Sequence, residues 1–150
     1  MNYKFALDSY AWIEYAIGSQ MGEFINFIIK YTTCITPSIV IAELSDKFHR
    51  ENNLDDWRVL FKFIKHNSTI ISLNGVLAEK SGGRKKFLRD QQESKEKKIG
   101  LADAIIYETA LSQDCKLVTG DEHFANTKNV IYLKKIDKLE KIQEEISRNL

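Results

Sequence analysis

Residues 116–124 read KLVTGDEHF: a short apolar run, a Thr-Gly turn, and then the carboxylate of Asp121. Aliphatic and β-branched residues that end at a glycine predict a buried strand over 116–119. A second apolar run, YKFAL at 3–7, is also followed at once by an acid, Asp8. An acid at such a place can be a simple turn residue, so the rest of the chain decides whether Asp121 acts alone.

Further apolar runs indicate the remaining architecture. Short runs at 34–36, 69–73 and 130–133 predict three more strands, and longer segments with helical periodicity lie between them. Five short apolar strands separated by helices predict a parallel five-stranded sheet with helices on both faces, an α/β fold. The predicted helices cover 10–17, 21–31, 38–50, 54–66 and 101–113, with a polar helix or hairpin at 74–95 and an amphipathic closing helix within 134–150.

Composition narrows the class of protein. A chain of 150 residues with 43% hydrophobic and 29% charged residues fits one globular domain, 1–150, and a net charge of +1 favours no particular partner. Cys34 and Cys115 lack CxxC spacing, which fits a reducing compartment. The start of the chain has no signal-peptide pattern, and the apolar cluster at 24–29 is far shorter than the ~20 residues that span a bilayer. We therefore expect a cytoplasmic protein with no membrane partner.

Two more acids interrupt apolar surroundings. Glu43 lies in SIVIAEL, and Asp103 lies in GLADAII, near the start of the helix that leads to the strand at 116–119. If the strands ending before Asp8 and Asp121 are neighbours where the chain order reverses, all of these carboxylates open into one crevice. Each acid also has a local explanation: a helix cap for Asp8, a helix-dipole acid for Asp103, a turn for Asp121 and a solvated helix position for Glu43.

Carboxylates gathered in a partly dry cleft repel one another unless a cation neutralises them. Oxygen ligands with open positions suit Mg²⁺ or Mn²⁺, which can activate water for phosphodiester hydrolysis. The three histidines, His49, His66 and His123, are expected at the surface or at helix ends. Phosphate-loop and serine-hydrolase motifs are absent from the sequence, so those enzyme classes lose support.

The motifs LDSYAWIEY, PSIVIAEL, LADAIIYETA and LVTGDEHF occur in order, and together they resemble a PIN domain of the VapC-like toxin ribonucleases. The resemblance covers about residues 3–133 and implies a three-layer α/β/α sandwich with Mg²⁺- or Mn²⁺-dependent endoribonuclease activity. It also implies an RNA substrate, a small antitoxin partner and a homodimer. The catalytic and metal-binding residues it implies are Asp8, Glu43, Asp103 and Asp121, with Ser9 and Thr119 as supporting hydroxyls.

The resemblance does not decide the roles of three features of the chain. Tyr107 and Glu108 stand where relatives keep small residues, and a structural role is expected for Glu108. The stretch 84–98 carries seven basic and three acidic residues, which suits either an RNA contact or a solvated helix face. Large apolar residues on the helices around 10–31 and 54–64 suit either the core or an antitoxin contact: Trp12, Phe24, Phe27 and Trp57.

Other functions share the predicted sheet. A PIN-like module that binds RNA or protein without cutting would lack an acid, and all of the expected acids are present. A PIN ribonuclease of RNA processing, without an antitoxin, fits the same residues. Receiver-like and dehalogenase-like phosphoryl enzymes need a second acid next to or two residues after Asp8, where Ser9 and Tyr10 stand. Metal-dependent RNA cleavage is therefore the leading hypothesis.

Overall fold

The computed structural model describes residues 2–93 and 97–150. A five-stranded parallel sheet in the order β3-β2-β1-β4-β5 forms its centre, which confirms the predicted α/β fold. Each predicted strand is present. The strands are β1 (Lys4–Leu7), β2 (Thr33–Pro37), β3 (Thr69–Ile71), β4 (Lys116–Thr119) and β5 (Val130–Tyr132).

Helices connect the strands and cover the sheet. The chain runs from β1 through β2 to β3 on one side of the sheet, and then crosses to β4 and β5 on the other side. Because the crossovers are right-handed, the helices that precede β3 and the helices that follow it lie on opposite faces of the sheet. The result is an α/β/α sandwich. The helices are α1 (Ser9–Ile17), α2 (Gln20–Tyr31), α3 (Ser38–Arg50), α4 (Leu54–Asn67), α5 (Gly75–Asp90), α6 (Leu101–Ser112) and α7 (Ile136–Arg148), with a 3-10 helix at Glu122–Phe124.

Most of the segment predicted as a helix or a hairpin, 74–95, is a helix, α5, which ends at Asp90. Residues 94 and 95 of that prediction lie outside the described residues. Glycine lowers helix propensity by about 1 kcal/mol, so the Gly82–Gly83 pair weakens α5 on its own. Packing against α6 compensates, because Leu77, Ser81 and Leu88 are buried at helical spacing.

The centre of the sheet, where β1 and β4 lie side by side, is buried. Leu7 pairs with Val118, and both are completely buried. Of the aromatic residues that suited either core or partner contacts, Trp12, Phe24 and Trp57 are buried, so they belong to the core. None of the helices in the described ranges is long and apolar enough to cross a membrane.

The carboxyl ends of β1 and β4 meet at the centre of one sheet edge, where the chain order reverses. The backbone N–H of Asp8 points to the carbonyl oxygen of Val118, at 3.5 Å, which ties the two strand ends together. The condition set by the sequence, that these strands be neighbours, is therefore met.

Candidate active site

Asp8 follows β1 directly and begins α1. Its Oδ1 accepts the backbone N–H of Ala11 at 2.9 Å, which caps the helix, and its carboxylate also accepts a hydrogen bond from the hydroxyl of Thr119. Burial raises the pKa of Asp8 to about 7, and the nearby charges of Asp121 and Glu43 act in the same direction. The carboxyl group is thus placed by two hydrogen bonds but is poorly solvated when charged.

The turn after β4 places Asp121. The backbone N–H of Asp121 donates to Thr119 Oγ1 at 3.0 Å, and Asp121 Oδ1 accepts the backbone N–H of His123 at 3.0 Å, which starts the 3-10 helix. Thr119 is completely buried and therefore links both acids: it accepts from the Asp121 backbone and donates to Asp8.

Gly120 has a steric reason to be glycine. A Cβ atom at this position would overlap the ring of Tyr10, which lies against the turn. The close approach of the first turn of α1 to the end of β4 thus depends on a missing side chain.

Glu43 reaches the same region from α3. The hydroxyl of Ser9, at the start of α1, donates to Glu43 Oε1 at 2.6 Å. Burial is the largest influence on Glu43 and raises its pKa, and the charges of Asp103 and Asp121 raise it further. The supporting hydroxyl expected at Ser9 therefore contacts a different acid from the one that Thr119 contacts.

Asp103 is the third residue of α6. Its Oδ2 accepts the backbone N–H of Gly100 at 3.2 Å, so it also closes the first turn of its helix. Burial raises its pKa and Asp121 adds to the shift, while His123 and Lys97 oppose it. The local roles that three of the acids had as alternatives are thus all observed, and they coexist with a place in the site.

All four predicted acids line one cleft of ≈ 790 Å³ at the carboxyl edge of β1 and β4. Four separate segments of the chain supply them, and Thr119 lies beneath the floor. Two lysines lie at the cleft as well. The lining residues are Asp8, Ser9, Tyr10, Glu43, Lys97, Asp103, Ile106, Gly120, Asp121, Glu122, His123, Ala125, Asn126 and Lys134.

His123 is the residue of this cleft that the sequence did not predict. Its side chain is only 13% exposed, and Nδ1 lies 3.1 Å from Asp121 Oδ1 and 3.6 Å from Asp103 Oδ2. This buried nitrogen makes no hydrogen bond with any described residue. His123 lies in the short 3-10 helix, next to its end, but the expectation of a surface position is wrong, because the side chain is largely buried. Its place two residues after Asp121 was the available signal.

These residues fit a divalent cation. Asp103, Asp121 and His123 each offer a ligand atom, and the atoms lie within 4.8 Å of one another. Asp8 and Glu43 are outside this tight group but add negative charge to the cleft. A cation would offset the burial and the mutual repulsion that raise the pKa values of Asp8, Glu43 and Asp103. It would also give the nitrogen of His123, which makes no hydrogen bond with any described residue, a ligand role.

The two unusual residues of α6 have structural roles. Glu108 accepts a hydrogen bond from Arg84 Nε at 2.6 Å and forms an ion pair between α5 and α6. Tyr107 stacks on Phe124, with ring centroids 5.7 Å apart, and its hydroxyl donates to the carbonyl oxygen of Lys128 at 2.8 Å. Tyr107 thereby holds the turn that carries Asp121 against α6.

The basic stretch 84–98 divides into several parts. Arg84 pairs with Glu108, and Arg89 Nε donates to the carbonyl oxygen of Ile99 at 2.9 Å, so both are used within the fold. Lys97 lines the acidic cleft. Residues 94–96 lie outside the described ranges. The described part of the stretch thus brings at least one positive charge to the cleft.

Comparisons with known proteins agree with this architecture. The model of the PIN domain family matches residues 5–130. No curated protein sequence matches the chain. Solved structures of similar fold include VapBC2 from Rickettsia felis bound to a promoter DNA fragment, with 18% identity, a TM-score of 0.67, and 86% of this chain and 96% of that chain covered.

Two further solved structures have the same fold. A toxin–antitoxin complex from Klebsiella pneumoniae has 19% identity and a TM-score of 0.64, covering 85% of this chain and 96% of that chain. VapC20 of Mycobacterium tuberculosis, described as a sarcin–ricin-loop-cleaving toxin, has 12% identity and a TM-score of 0.62, covering 83% and 95%. The family match runs from β1 to the start of β5 and includes all four acids, and on that basis this chain belongs to the PIN domain family.

Proposed function

We propose that this protein is an Mg²⁺- or Mn²⁺-dependent endoribonuclease and the toxin of a toxin–antitoxin pair. The observation that carries the proposal is the meeting of four carboxylates, from four separate chain segments, in one cleft at the carboxyl ends of β1 and β4. Such a set is unfavourable without a cation and is the ligand chemistry of hard divalent metals.

The chain's own residues have distinct tasks in this proposal. Asp103 and Asp121 hold the cation, and Asp8 and Glu43 complete the negatively charged site. Ser9 orients Glu43, and Thr119 orients Asp8, through the hydrogen bonds described above. A bound cation would activate water and stabilise charge on the phosphate during hydrolysis.

Positive charge at the cleft supports a nucleic-acid substrate. Lys97 and Lys134 line the cleft beside the acids, and Lys134 Nζ lies 3.4 Å from Glu122 Oε1. Lysines near a carboxylate site attract phosphates that the acids alone would repel. A solved neighbour named as a toxin that cleaves the sarcin–ricin loop supports RNA as the polymer.

A second cleft supports an antitoxin partner. This apolar groove, of ≈ 860 Å³, runs between α1–α2 and α3–α4, and two exposed aliphatic residues line it: Ile17 at 68% and Val59 at 71% exposure. Three acids and one lysine lie around it: Glu23, Glu51, Asp56 and Lys47. We infer that an amphipathic helix of the antitoxin, basic on its polar side, occupies the apolar groove.

We also propose a homodimer in the cytoplasm. Val76 and Phe87 are 66% and 50% exposed and lie three turns apart on one side of α5, where a second copy would cover them. Cys34 and Cys115 are buried and unpaired, which suits a reducing compartment. Sedimentation of the wild type and of a Phe87→Glu variant tests the dimer, which the variant should weaken.

Cleavage of structured RNA by the purified protein tests the activity. Fragments should form with Mg²⁺ or Mn²⁺, and EDTA should abolish them. Asp55→Asn is the matched control for the site variants Asp8→Asn and Asp121→Asn. Asp55 is a solvated acid of α4, with a side chain 98% exposed, so its replacement should leave cleavage unchanged. If no metal produces cleavage while RNA still binds, the protein is a non-cleaving PIN module. If cleavage occurs but no adjacent gene encodes an inhibitory protein, the RNA-processing alternative replaces the toxin.

A further inference from the structure

We propose that His123 coordinates the metal through Nδ1, so that this chain prefers Mn²⁺ to Mg²⁺. The inference rests on the proposed metal-dependent function and adds to the expected carboxylate site a nitrogen ligand that the sequence did not predict. A nitrogen ligand distinguishes Mn²⁺ from Mg²⁺, which the carboxylates alone would not do.

The position of the imidazole ring is set by the turn that carries Asp121. The backbone N–H of His123 is held by Asp121 Oδ1, and the following residue, Phe124, is buried against Tyr107. The ring therefore has little freedom to leave the cleft. Its side chain is 13% exposed, which excludes the solvent-facing position that a surface histidine would have.

Hydrogen bonding does not explain why His123 Nδ1 is buried among the carboxylates. It lies near two carboxylate oxygens, yet the geometry gives it no hydrogen bond with a described residue. The distance of 3.6 Å to Asp103 Oδ2 is too long for such a bond. A buried ring nitrogen without a hydrogen bond is costly, and a metal ion that accepts its lone pair removes that cost.

The spacing of the ligand atoms suits coordination. Two ligands at right angles around an ion, each at roughly 2.1 Å, lie roughly 3 Å apart. Nδ1 and Asp121 Oδ1 are separated by 3.1 Å. Asp103 adds a third ligand atom, and all three lie within 4.8 Å of one another.

Ligand type then decides the metal. Mg²⁺ favours oxygen ligands and retains its waters, whereas later divalent ions gain more from an imidazole nitrogen. An all-carboxylate site would therefore discriminate little between Mg²⁺ and Mn²⁺. One nitrogen ligand should raise Mn²⁺ affinity about tenfold and leave Mg²⁺ affinity within about threefold.

The test is electron spin-echo spectroscopy of Mn²⁺ bound to the full-length protein. The wild type should show a ¹⁴N coupling that changes to the ¹⁵N pattern when histidine alone is labelled with ¹⁵N. His123→Gln should lose the coupling and bind Mn²⁺ about tenfold more weakly, with Mg²⁺ affinity, from competition, changed by less than about threefold. His66→Gln is the matched control, because its ring is bonded to the carbonyl oxygen of Lys62 on the exposed face of α4.

The outcomes distinguish failure of the role of His123 from failure of the proposed carboxylate metal site. Bound Mn²⁺ without a nitrogen coupling in the wild type overturns the role of His123 and leaves the carboxylate site standing. Absence of Mn²⁺ binding overturns both. The wild-type measurement can overturn the proposal by itself, so the proposal stays falsifiable even if His123→Gln folds poorly. A coupling that persists in a folded His123→Gln also overturns it.

Discussion

The acidic cleft and the apolar groove are similar in volume, ≈ 790 and ≈ 860 Å³, and opposite in chemistry. The acidic cleft is built at strand ends, where short turns and helix starts place charged groups with little solvent. The apolar groove is built from helix faces that leave Ile17 and Val59 in water. Each surface is unfavourable on its own, and each would be stabilised by a ligand of matching chemistry.

The two surfaces differ in how many hydrogen bonds fix the positions of their side chains. In the acidic cleft, backbone and side-chain hydrogen bonds position Asp8, Glu43, Asp103 and Asp121. The apolar groove depends on shape and exposed area rather than on such bonds. Single substitutions should therefore have large effects in the acidic cleft and smaller ones in the apolar groove.

The largest effect is expected for Asp121→Asn. Residues that only support metal ligands change affinity or activity about 10- to 100-fold, so loss of a ligand should reduce RNA cleavage by roughly 100-fold or more. Gel assays of cleavage at saturating Mn²⁺ measure this, with Asp55→Asn as the control. Circular dichroism should show an unchanged fold. Undiminished activity in both Asp121→Asn and Asp8→Asn would refute the site.

The stability of the metal-free protein should fall as pH rises. The pKa of Asp8 is about 7 in the folded chain, above its unfolded value, so the folded state binds an extra proton between about pH 4 and pH 7. This contribution to stability is complete below pH 4 and is lost as pH rises through 7. The pKa values of Glu43 and Asp103 are also raised and act in the same direction.

Urea unfolding in EDTA at pH 5 and pH 8 checks this expectation. The free energy of unfolding should be lower at pH 8 by a few kcal/mol at most, and Asp8→Asn should reduce the difference. Mn²⁺ should restore stability to the wild type at pH 8 because it binds the folded state. Equal pH profiles for the wild type and Asp8→Asn would contradict the assignment of the shift to Asp8.

In the apolar groove, Val59→Glu should weaken antitoxin binding about tenfold, since it removes apolar contact area and places a charge at the interface. The probe is the proposed antitoxin, sought as a small protein encoded by an adjacent gene, and its binding is measured by titration calorimetry. Arg58→Glu changes charge at a neighbouring exposed position outside the groove lining and is the control. Equal loss with both variants would indicate a charge effect and would remove the groove as the docking site.

The smallest effect is expected for the lysines of the acidic cleft. Lys97→Ala and Lys134→Ala should each reduce RNA affinity modestly and lower the slope of log affinity against log salt by about 1. Binding in Ca²⁺ with an Asp121→Asn background measures this without cleavage. Lys138→Ala, on the exposed surface of α7, is the control. An unchanged slope in both cleft variants would show that RNA phosphates bind elsewhere.

Several parts of the site could be predicted from the sequence because they depend on local order along the chain. Asp8 and Asp121 directly follow apolar strands, and parallel strands end at one edge of a sheet. Glu43 interrupts an apolar helix face, and Asp103 begins another helix. These positions follow from periodicity and chain order, which a single sequence contains.

Other parts depended on contacts between distant segments. The ring of His123 reaches Asp103 because the Asp121 turn is pinned to α6 by Tyr107, an arrangement that sequence spacing does not encode. The helix α5 is continuous through its glycine pair because α6 packs on it. Glu108 became a partner of Arg84 only when α5 and α6 were brought together.

The sequence by itself determined the sheet, the strand ends and the acids beyond them, since hydrophobic periodicity and parallel-strand geometry are local rules. Only the tertiary structure decided which side chains share the acidic cleft, which hydroxyl supports which acid, and that a histidine nitrogen lies among the carboxylates. The physical reason is that these relations depend on burial and on distances of a few ångströms between segments far apart in the chain, and such distances arise only when the helices pack on the sheet.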